Sequence, residues 1–171
     1  RCSSPVEAMT KLFSAVPDLA DVGYSAIGSS SNGIVDEKTG APYLGGGGMH
    51  IYIPVRDIEL SQLKQYIEVK LLNAGMGFIS FSRNGAILKK TLFDMSVLSP
   101  ERLIYEAKPV LGKGIGQKER VWTHVEGKAL TGDVVLTDQE ITQHERLIAD
   151  ARKNPAAIEI SDSLQKVHRK K

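Results

Sequence analysis

The chain has 171 residues, of which 42% are hydrophobic, and its formal net charge is +2. This length suits one domain, or one domain with an appendage, and the apolar fraction is sufficient for a core. One cysteine excludes an internal disulfide, and no signal peptide or apolar run of about 20 residues is visible, so we expect a cytoplasmic protein that does not contact a membrane.

A helix and a short strand are predicted for the first 27 residues. Ser3 or Ser4 can cap the helix, and Pro5 suits its first turn. Residues 22–27 then predict a strand. Pro17 is expected to end the helix, whose apolar residues recur at helical spacing and are Val6, Met9, Leu12, Phe13 and Val16.

Two stretches of small residues follow this strand. Residues 28–33 (GSSSNG) predict a loop, and a polar excursion over 35–43 leads into four glycines at 45–48. These glycines allow close approach of the backbone to a ligand, and consecutive N–H groups can bind an anion. Ser29 to Ser31 would add phosphate donors if the two stretches meet. The alternative is that both are solvent-exposed loops without a ligand.

The segment MHIYI at residues 49–53 alternates as a strand does. His50 and Tyr52 therefore share one face, and the apolar residues share the other. A histidine on the strand that follows a glycine loop favours a phosphate-bearing ligand. The alternative is a hydrogen-bonded histidine with a purely structural role.

The middle of the chain predicts a second helix and several strands. Asp57 is expected to cap this helix, and Gly75 to end it. Residues 77–82 and 86–97 predict strands, residues 99–102 a helical turn, and 103–107 another strand. The apolar stripe of the helix is Leu60, Leu63, Ile67 and Leu71, and two aromatic residues expected in the core are Phe78 and Phe81.

Asp94 lies between apolar neighbours. Carboxylates are rarely fully buried without a partner, so a buried Asp94 would be paired or metal-bound. The alternative is an Asp at a strand edge that faces solvent or pairs with Lys89, Lys90 or Arg102.

The last third of the chain predicts a helical segment. Residues 121–125, which contain Trp122 and His124, predict a strand or a surface strap. Thr137 and Glu140 form a capping box that opens a helix on which His144 is expected to be exposed. Residues 1–129 are predicted to form an α/β (α+β) core with a mixed or antiparallel sheet, and residues 130–171 a helical appendage toward a following domain.

Three segments in this order resemble the primase-polymerase domains of the archaeo-eukaryotic primase superfamily, which occur in plasmid, phage and mobile-element replication proteins. They are GGGGMHIYI at 45–53, GMGFISFS at 75–82, and GAILKKTLFDMSV at 85–97 running into SPERLIYE at 99–106. The resemblance covers about residues 5–115. It implies an RRM-like palm with an added α/β unit, and a template-directed nucleotidyltransferase that makes or extends DNA primers.

The resemblance also assigns roles to individual residues. His50 matches the histidine that contacts the phosphates of the incoming nucleotide, and Gly48 occupies the place of the small residue two positions before it. Gly47, Ser31 and Arg102 are further candidate nucleotide-binding residues. Asp94 matches a carboxylate that holds the catalytic divalent metals. The implied cofactor is Mg²⁺ or Mn²⁺, which prefers oxygen ligands, and the implied partners are a single-stranded DNA template, an NTP or dNTP, and a helicase or other replication domain.

The first motif of that family, an acidic pair on an apolar strand, is not found before Ser4. Asp18 and Asp21 follow the first helix, and Asp36 with Glu37 lies in a polar loop. We expect the pair upstream of Arg1 in the intact protein, and we expect this fragment alone to polymerise poorly. The alternative is that this copy has lost the pair.

Two other functions are compatible with the same residues. A non-catalytic nucleic-acid-binding module would use the lysines and arginines of residues 89–120 to contact phosphates. A strand-nicking replication initiator would require paired histidines, and the segment around His50 lacks the second one.

Overall fold

The computed structural model describes residues 4–43, 48–82, 86–99, 101–104, 106–132 and 134–154. Two compact units divide the chain: unit 1 comprises Arg1–Ile58 and Glu101–Gly132, and unit 2 comprises Glu59–Pro100 and Asp133–Lys171. The helices are α1 (Pro5–Ala15), α2 (Leu60–Asn73) and α3 (Asp138–Arg152). The strands are β1 (Tyr24–Gly28), β2 (Ile34–Asp36), β3 (Met49–Tyr52), β4 (Gly77–Phe81), β5 (Ile87–Thr91), β6 (Ile115–Gln117) and β7 (Thr123–Val125).

Helix α1 forms as the sequence predicts. The Ser4 hydroxyl accepts a hydrogen bond from the Glu7 N–H at 3.1 Å, and Pro5 occupies the first turn. Met9, Leu12 and Val16 of the predicted apolar stripe are buried, whereas Val6 is 58% exposed. A 3-10 turn, Pro17–Leu19, follows α1. Met9, Val16 and Leu19 are among the most deeply buried side chains of the described chain.

The sheet of unit 1 has the strand order β3-β1-β7, and both pairings are antiparallel. Tyr24 and Ala26 are buried on one face of β1, and the Tyr24 ring meets Phe13 of α1 edge to face. On the other face, Ser25 pairs with Tyr52 and Ile27 pairs with His50. Residues paired across strands share a face, so His50 and Tyr52 lie opposite the α1 side of the sheet.

A second antiparallel pair in unit 1 joins β2 to β6. Gln117 at the end of β6 donates from its side chain to the carbonyl oxygens of Ser30 and Asn32, at 2.8 and 2.7 Å. These two hydrogen bonds attach the loop that follows β1 to the end of β6.

Unit 2 packs helix α2 against α3 and a hairpin of β4 and β5. Lys70 of α2 forms a 2.6 Å ion pair with Glu140 of α3. The Asn73 side chain also donates to the Glu140 carbonyl oxygen at 2.9 Å. The capping box of Thr137 and Glu140 is present as the sequence predicts.

The α/β (α+β) class is confirmed, since the described residues form helices and small antiparallel sheets. Several local predictions are wrong. Glu59, and not Asp57, is the cap residue of α2, because Asp57 adopts a positive φ of 58° just outside the helix. The single helical turn is Met95–Leu98, several residues earlier than predicted, and the described residues of 103–107 form no strand.

Two side-chain predictions in unit 2 are also wrong. Phe78 is 66% exposed, because it lies on the outer face of the β4–β5 hairpin, opposite Lys90. His144 is only 8% exposed, because it lies on the buried face of α3. Both errors have one cause: local periodicity does not show which face a neighbouring element covers.

No helix in the described part of the chain is both long and apolar enough to span a membrane. The end of the predicted helical appendage, from residue 155 onward, lies outside the described residues.

Candidate functional site

The candidate site of unit 1 is centred on His50. Its Nδ1 lies 2.5 Å from Glu106 Oε1, and the Tyr52 hydroxyl donates to the same oxygen. The predicted shared face of His50 and Tyr52 is therefore confirmed. Because a carboxylate only accepts, the proton on this side of the ring is assigned to Nδ1, which leaves Nε2 for another partner. No described residue hydrogen-bonds to that Nε2.

Arg120 holds Glu106 from the other side. Its guanidinium donates to the Glu106 carbonyl oxygen at 2.5 Å and to the Gly28 carbonyl oxygen at 3.0 Å. It also lies 3.5 Å from Glu106 Oε2 in an ion pair, and the Arg120 side chain is only 8% exposed. Glu106 is thus fixed through both its backbone and its carboxylate.

These contacts determine the ionisation of Glu106 and Tyr52. Burial alone would raise the pKa of Glu106, but the hydrogen bonds from Tyr52 and His50 and the charge of Arg120 lower it below its ordinary 4.5. Burial, together with the hydrogen bond to Glu106 and the negative charge of this residue, raises the pKa of Tyr52 to about 12. At neutral pH the site therefore holds an ionised carboxylate and a neutral phenol.

The loop after β1 meets the end of the glycine run. The Ser29 N–H and the Asn32 side-chain amide both donate to the Gly48 carbonyl oxygen, each at 2.9 Å. The Ser29 and Ser31 hydroxyls are 3.4 Å apart. The two stretches therefore meet at Gly48, two residues before His50, whereas their role in phosphate binding stays a hypothesis.

The remaining nucleotide-binding predictions concern Gly47 and Arg102. Gly47 lies outside the described residues. Arg102 is exposed and makes no ion pair or hydrogen bond with any described residue, so a ligand has free access to its guanidinium.

Asp94 lies in unit 2, whereas His50 lies in unit 1. Asp94 is exposed and does not stand on a strand. Its Oδ1 accepts a hydrogen bond from the Ser96 N–H at 3.0 Å and so caps the 3-10 turn Met95–Leu98. Asp94 therefore has a local structural role that is independent of any metal.

The resemblance implies a divalent metal site. Among the described residues, however, no three His, Cys, Asp or Glu side chains are grouped so that they could hold a metal ion. Asp94 offers one carboxylate, and Mg²⁺ at a nucleotide site is bound by one or two carboxylates together with substrate phosphates and waters. The described residues by themselves do not form the expected metal centre.

An aromatic row crosses the same face of the sheet as His50. The Trp122 ring lies 5.9 Å from the Tyr52 ring and 5.8 Å from the His124 ring, to which it is nearly parallel. The Ser25 hydroxyl lies 2.9 Å from His124 Nδ1 and ties the end of the row to β1. Trp122 thus lies between Tyr52 of β3 and His124 of β7.

Sequence reasoning missed Glu106 and Arg120, the two residues that fix His50. The pattern around residue 106 predicts a strand and suggests no partner for a histidine 56 residues away. One weak indication of such a partner is present in the sequence. A strand face that carries both His50 and Tyr52 needs a polar partner if another segment covers it.

Comparison with models of protein families, with curated proteins and with solved structures found no match.

Proposed function

We propose that this chain belongs to a metal-dependent, template-directed nucleotidyltransferase of the primase-polymerase type, which makes or extends primers in plasmid, phage or mobile-element DNA replication. The observation that carries the proposal is the pair of His50 and Glu106 beside Gly48. This pair supplies an oriented imidazole next to a loop of small residues. The same combination of a small residue and a histidine is part of the motif on which the resemblance is based.

In this proposal His50 contacts the triphosphate of the incoming NTP or dNTP. In its doubly protonated form the ring donates through Nε2 to a phosphate oxygen while Nδ1 donates to Glu106. The orientation is set before the ligand arrives, so less ordering entropy is lost on binding. Ser31 and Arg102 would supply further donors, since both are exposed.

Mg²⁺ or Mn²⁺ is part of the proposal, and Asp94 would supply one oxygen ligand to it. A bound divalent ion would polarise the reacting phosphate and activate the attacking hydroxyl. In the proposal, His50, Ser31 and Arg102 bind and orient the nucleotide.

A second candidate is a nucleic-acid-binding module without catalysis. The observation that favours it is the lack of a metal-holding group among the described residues. The exposed Phe78 opposite Lys90 on the β4–β5 hairpin suits contact with a base and a phosphate.

Primer synthesis on single-stranded DNA by the intact natural protein tests the proposal. Asp94→Asn keeps a capping oxygen for the Ser96 N–H but removes the charge, and it should abolish synthesis. Asp36→Asn is the matched control, because Asp36 is another Asp whose side chain accepts from backbone N–H groups that follow it. His50→Gln should raise the nucleotide concentration needed for half-maximal rate.

The outcomes separate the two candidates. Full synthesis by Asp94→Asn would contradict the assignment of this residue. Binding of single-stranded DNA without any synthesis, in the intact protein and with either metal, would favour the binding module.

A further inference from the structure

Trp122 is an exposed aromatic side chain that two neighbouring rings hold in position. Its surface is 43% exposed, and the adjacent Val121 is 71% exposed. An indole at a surface usually contacts water at a free-energy cost, unless a partner covers it. Here the rings of Tyr52 and His124 hold it, so its position is set before any partner binds.

This aromatic row adjoins the proposed phosphate site. Tyr52 follows His50 by two residues on the same face of β3, a distance of roughly 7 Å at the usual rise of a strand. Arg120, two residues before Trp122, contacts both Glu106 and the Gly28 carbonyl oxygen. The indole therefore adjoins the His50 site through Tyr52, and the chain that carries the indole is tied to Glu106 through Arg120.

We propose that Trp122 stacks against the base of the nucleotide whose phosphates contact His50. This inference rests on the proposed function for the identity of the ligand, and it adds the place of the base. A nucleotide has a charged end and a flat apolar end, and unit 1 offers a fixed imidazole and, beside it, an exposed indole. Stacking accepts every base, because each base has a π face, so this contact gives affinity without sequence preference.

The geometry favours the bound nucleotide over the template strand as the source of the base. Trp122 contacts Tyr52, whose hydroxyl binds the carboxylate that orients His50. One ligand can therefore span both contacts, and binding of its phosphates brings its base to the indole.

The chain contains one tryptophan, so fluorescence excited at a wavelength that tyrosine does not absorb reports on Trp122 alone. The protein is titrated separately with a nucleoside triphosphate, with inorganic triphosphate, and with an oligothymidylate. We expect saturable quenching by the nucleoside triphosphate and none by inorganic triphosphate. Equal quenching by inorganic triphosphate, quenching by the oligonucleotide alone, or no quenching would each overturn the proposal.

Substitutions provide a second readout, the binding of labelled nucleotide. Trp122→Leu should weaken nucleoside triphosphate binding about tenfold and leave inorganic triphosphate binding unchanged, whereas Trp122→Phe should restore most of the affinity. Val6→Ala is the control, because it removes exposed apolar surface from α1, on the other side of the sheet, and should have no effect on nucleotide binding. Equal affinities of the wild type and Trp122→Leu for the nucleoside triphosphate would overturn the proposal.

Failure of this inference differs from failure of the proposed function. Primer synthesis without nucleotide quenching of Trp122 would overturn the stacking contact alone. Quenching by nucleoside triphosphate without any synthesis would overturn the enzymatic function and support the contact.

Discussion

His50 Nδ1 lies 2.5 Å from Glu106 Oε1, although 56 residues separate the two in the chain. The carboxylate also accepts from Tyr52 and lies in an ion pair with Arg120. Glu106 thus joins β3 to the chain before β7. The residue that orients the histidine also helps to hold unit 1 together.

Removal of this carboxylate should destabilise the fold. Glu106→Ala leaves Arg120 without its counter-charge and two donors without an acceptor, so we expect a loss of about 2–3 kcal/mol, less than for a fully buried pair because Glu106 is part-exposed. Urea unfolding measures the effect. Glu119→Ala, an exposed control, should change stability by less than about 0.5 kcal/mol. Equal stabilities of the two variants would show that the Glu106 contacts contribute nothing.

The sequence predicted those elements of the fold that depend on local signals. Ser4 with Pro5, and Thr137 with Glu140, correctly placed the starts of two helices, because a cap acts within one turn. Asp57 failed as a cap because the same residue type also suits a positive φ in a turn. Nothing local distinguishes these two uses.

The candidate site was predictable only in part. Alternation along residues 49–53 placed His50 and Tyr52 on one face, and the small residues around Ser29 led to Gly48. Glu106 and Arg120 could not be predicted, because their contacts depend on how a segment without regular structure crosses the sheet. The coupling of His50 to Glu106 is a long-range contact, which residue spacing does not encode.

Tyr52 should resist ionisation at high pH. Its pKa of about 12 exceeds the ordinary 10, so the folded state keeps a proton that the unfolded state releases. Stability should therefore fall as pH rises from about 10 toward 12. Ultraviolet difference titration of the wild type against Tyr52→Phe measures this pKa. Glu106→Gln should move the pKa partly back toward 10, because burial persists when the charge is removed, and an unchanged pKa would exclude a contribution from Glu106.

His144 should make unit 2 sensitive to acid. Burial, together with the nearby charge of Lys89, lowers the pKa of His144 below its ordinary 6.5, although Glu68 and Glu145 oppose this shift. The unfolded state therefore binds the proton more readily, and stability should fall as pH drops through about 6.5.

Urea unfolding at about pH 7.5 and about pH 5.5 tests this expectation. His144→Gln should lose most of the difference between the two conditions. His124→Gln is the control, because His124 is exposed and lies in unit 1. An undiminished pH dependence in His144→Gln would assign the effect to another group.

Glu140 should contribute to stability in two ways. Its Oε1 pairs with Lys70 at 2.6 Å, and its Oε2 accepts from the Thr137 N–H at 2.9 Å. Glu140→Gln keeps a capping box but loses the ion pair, and Glu140→Ala loses both. We expect costs of about 0.5–1 and about 1.5–2 kcal/mol respectively.

The Glu140 contact should also weaken in acid, but here the group that takes up the proton is a carboxylate and not a histidine. The hydrogen bond from Lys70 lowers the pKa of Glu140 below its ordinary 4.5, so its stabilisation is present above about 4.5 and is lost as pH falls further. Chemical denaturation of both variants and of the exposed control Glu145→Ala measures these costs. A Gln variant as unstable as the Ala variant would show that the charge alone matters.

Gly127 and Gly23 mark the closest approach of two backbone segments in unit 1. The Gly23 N–H donates to the Lys128 carbonyl oxygen at 3.0 Å, and the Lys128 N–H donates to the Asp21 carbonyl oxygen at 2.9 Å. A Cβ on Gly127 would lie 2.3 Å from the Gly23 nitrogen and 2.7 Å from its Cα. Backbone atoms cannot rotate away as a side chain can, so the segments would have to separate.

Gly127→Ala should therefore destabilise the protein by about 2–3 kcal/mol, the upper range for overpacked sites. Gly112→Ala is the matched control, because the nearest atom to its Cβ would be the Ile115 side chain at 3.9 Å, an ordinary contact. Its stability should equal or slightly exceed that of the wild type, since alanine restricts the unfolded chain. Thermal and urea unfolding compare the two variants. Equal stabilities would show that the segments near Gly23 separate at no cost, and that the parallel bridge of Val22 and Lys128 contributes little to unit 1.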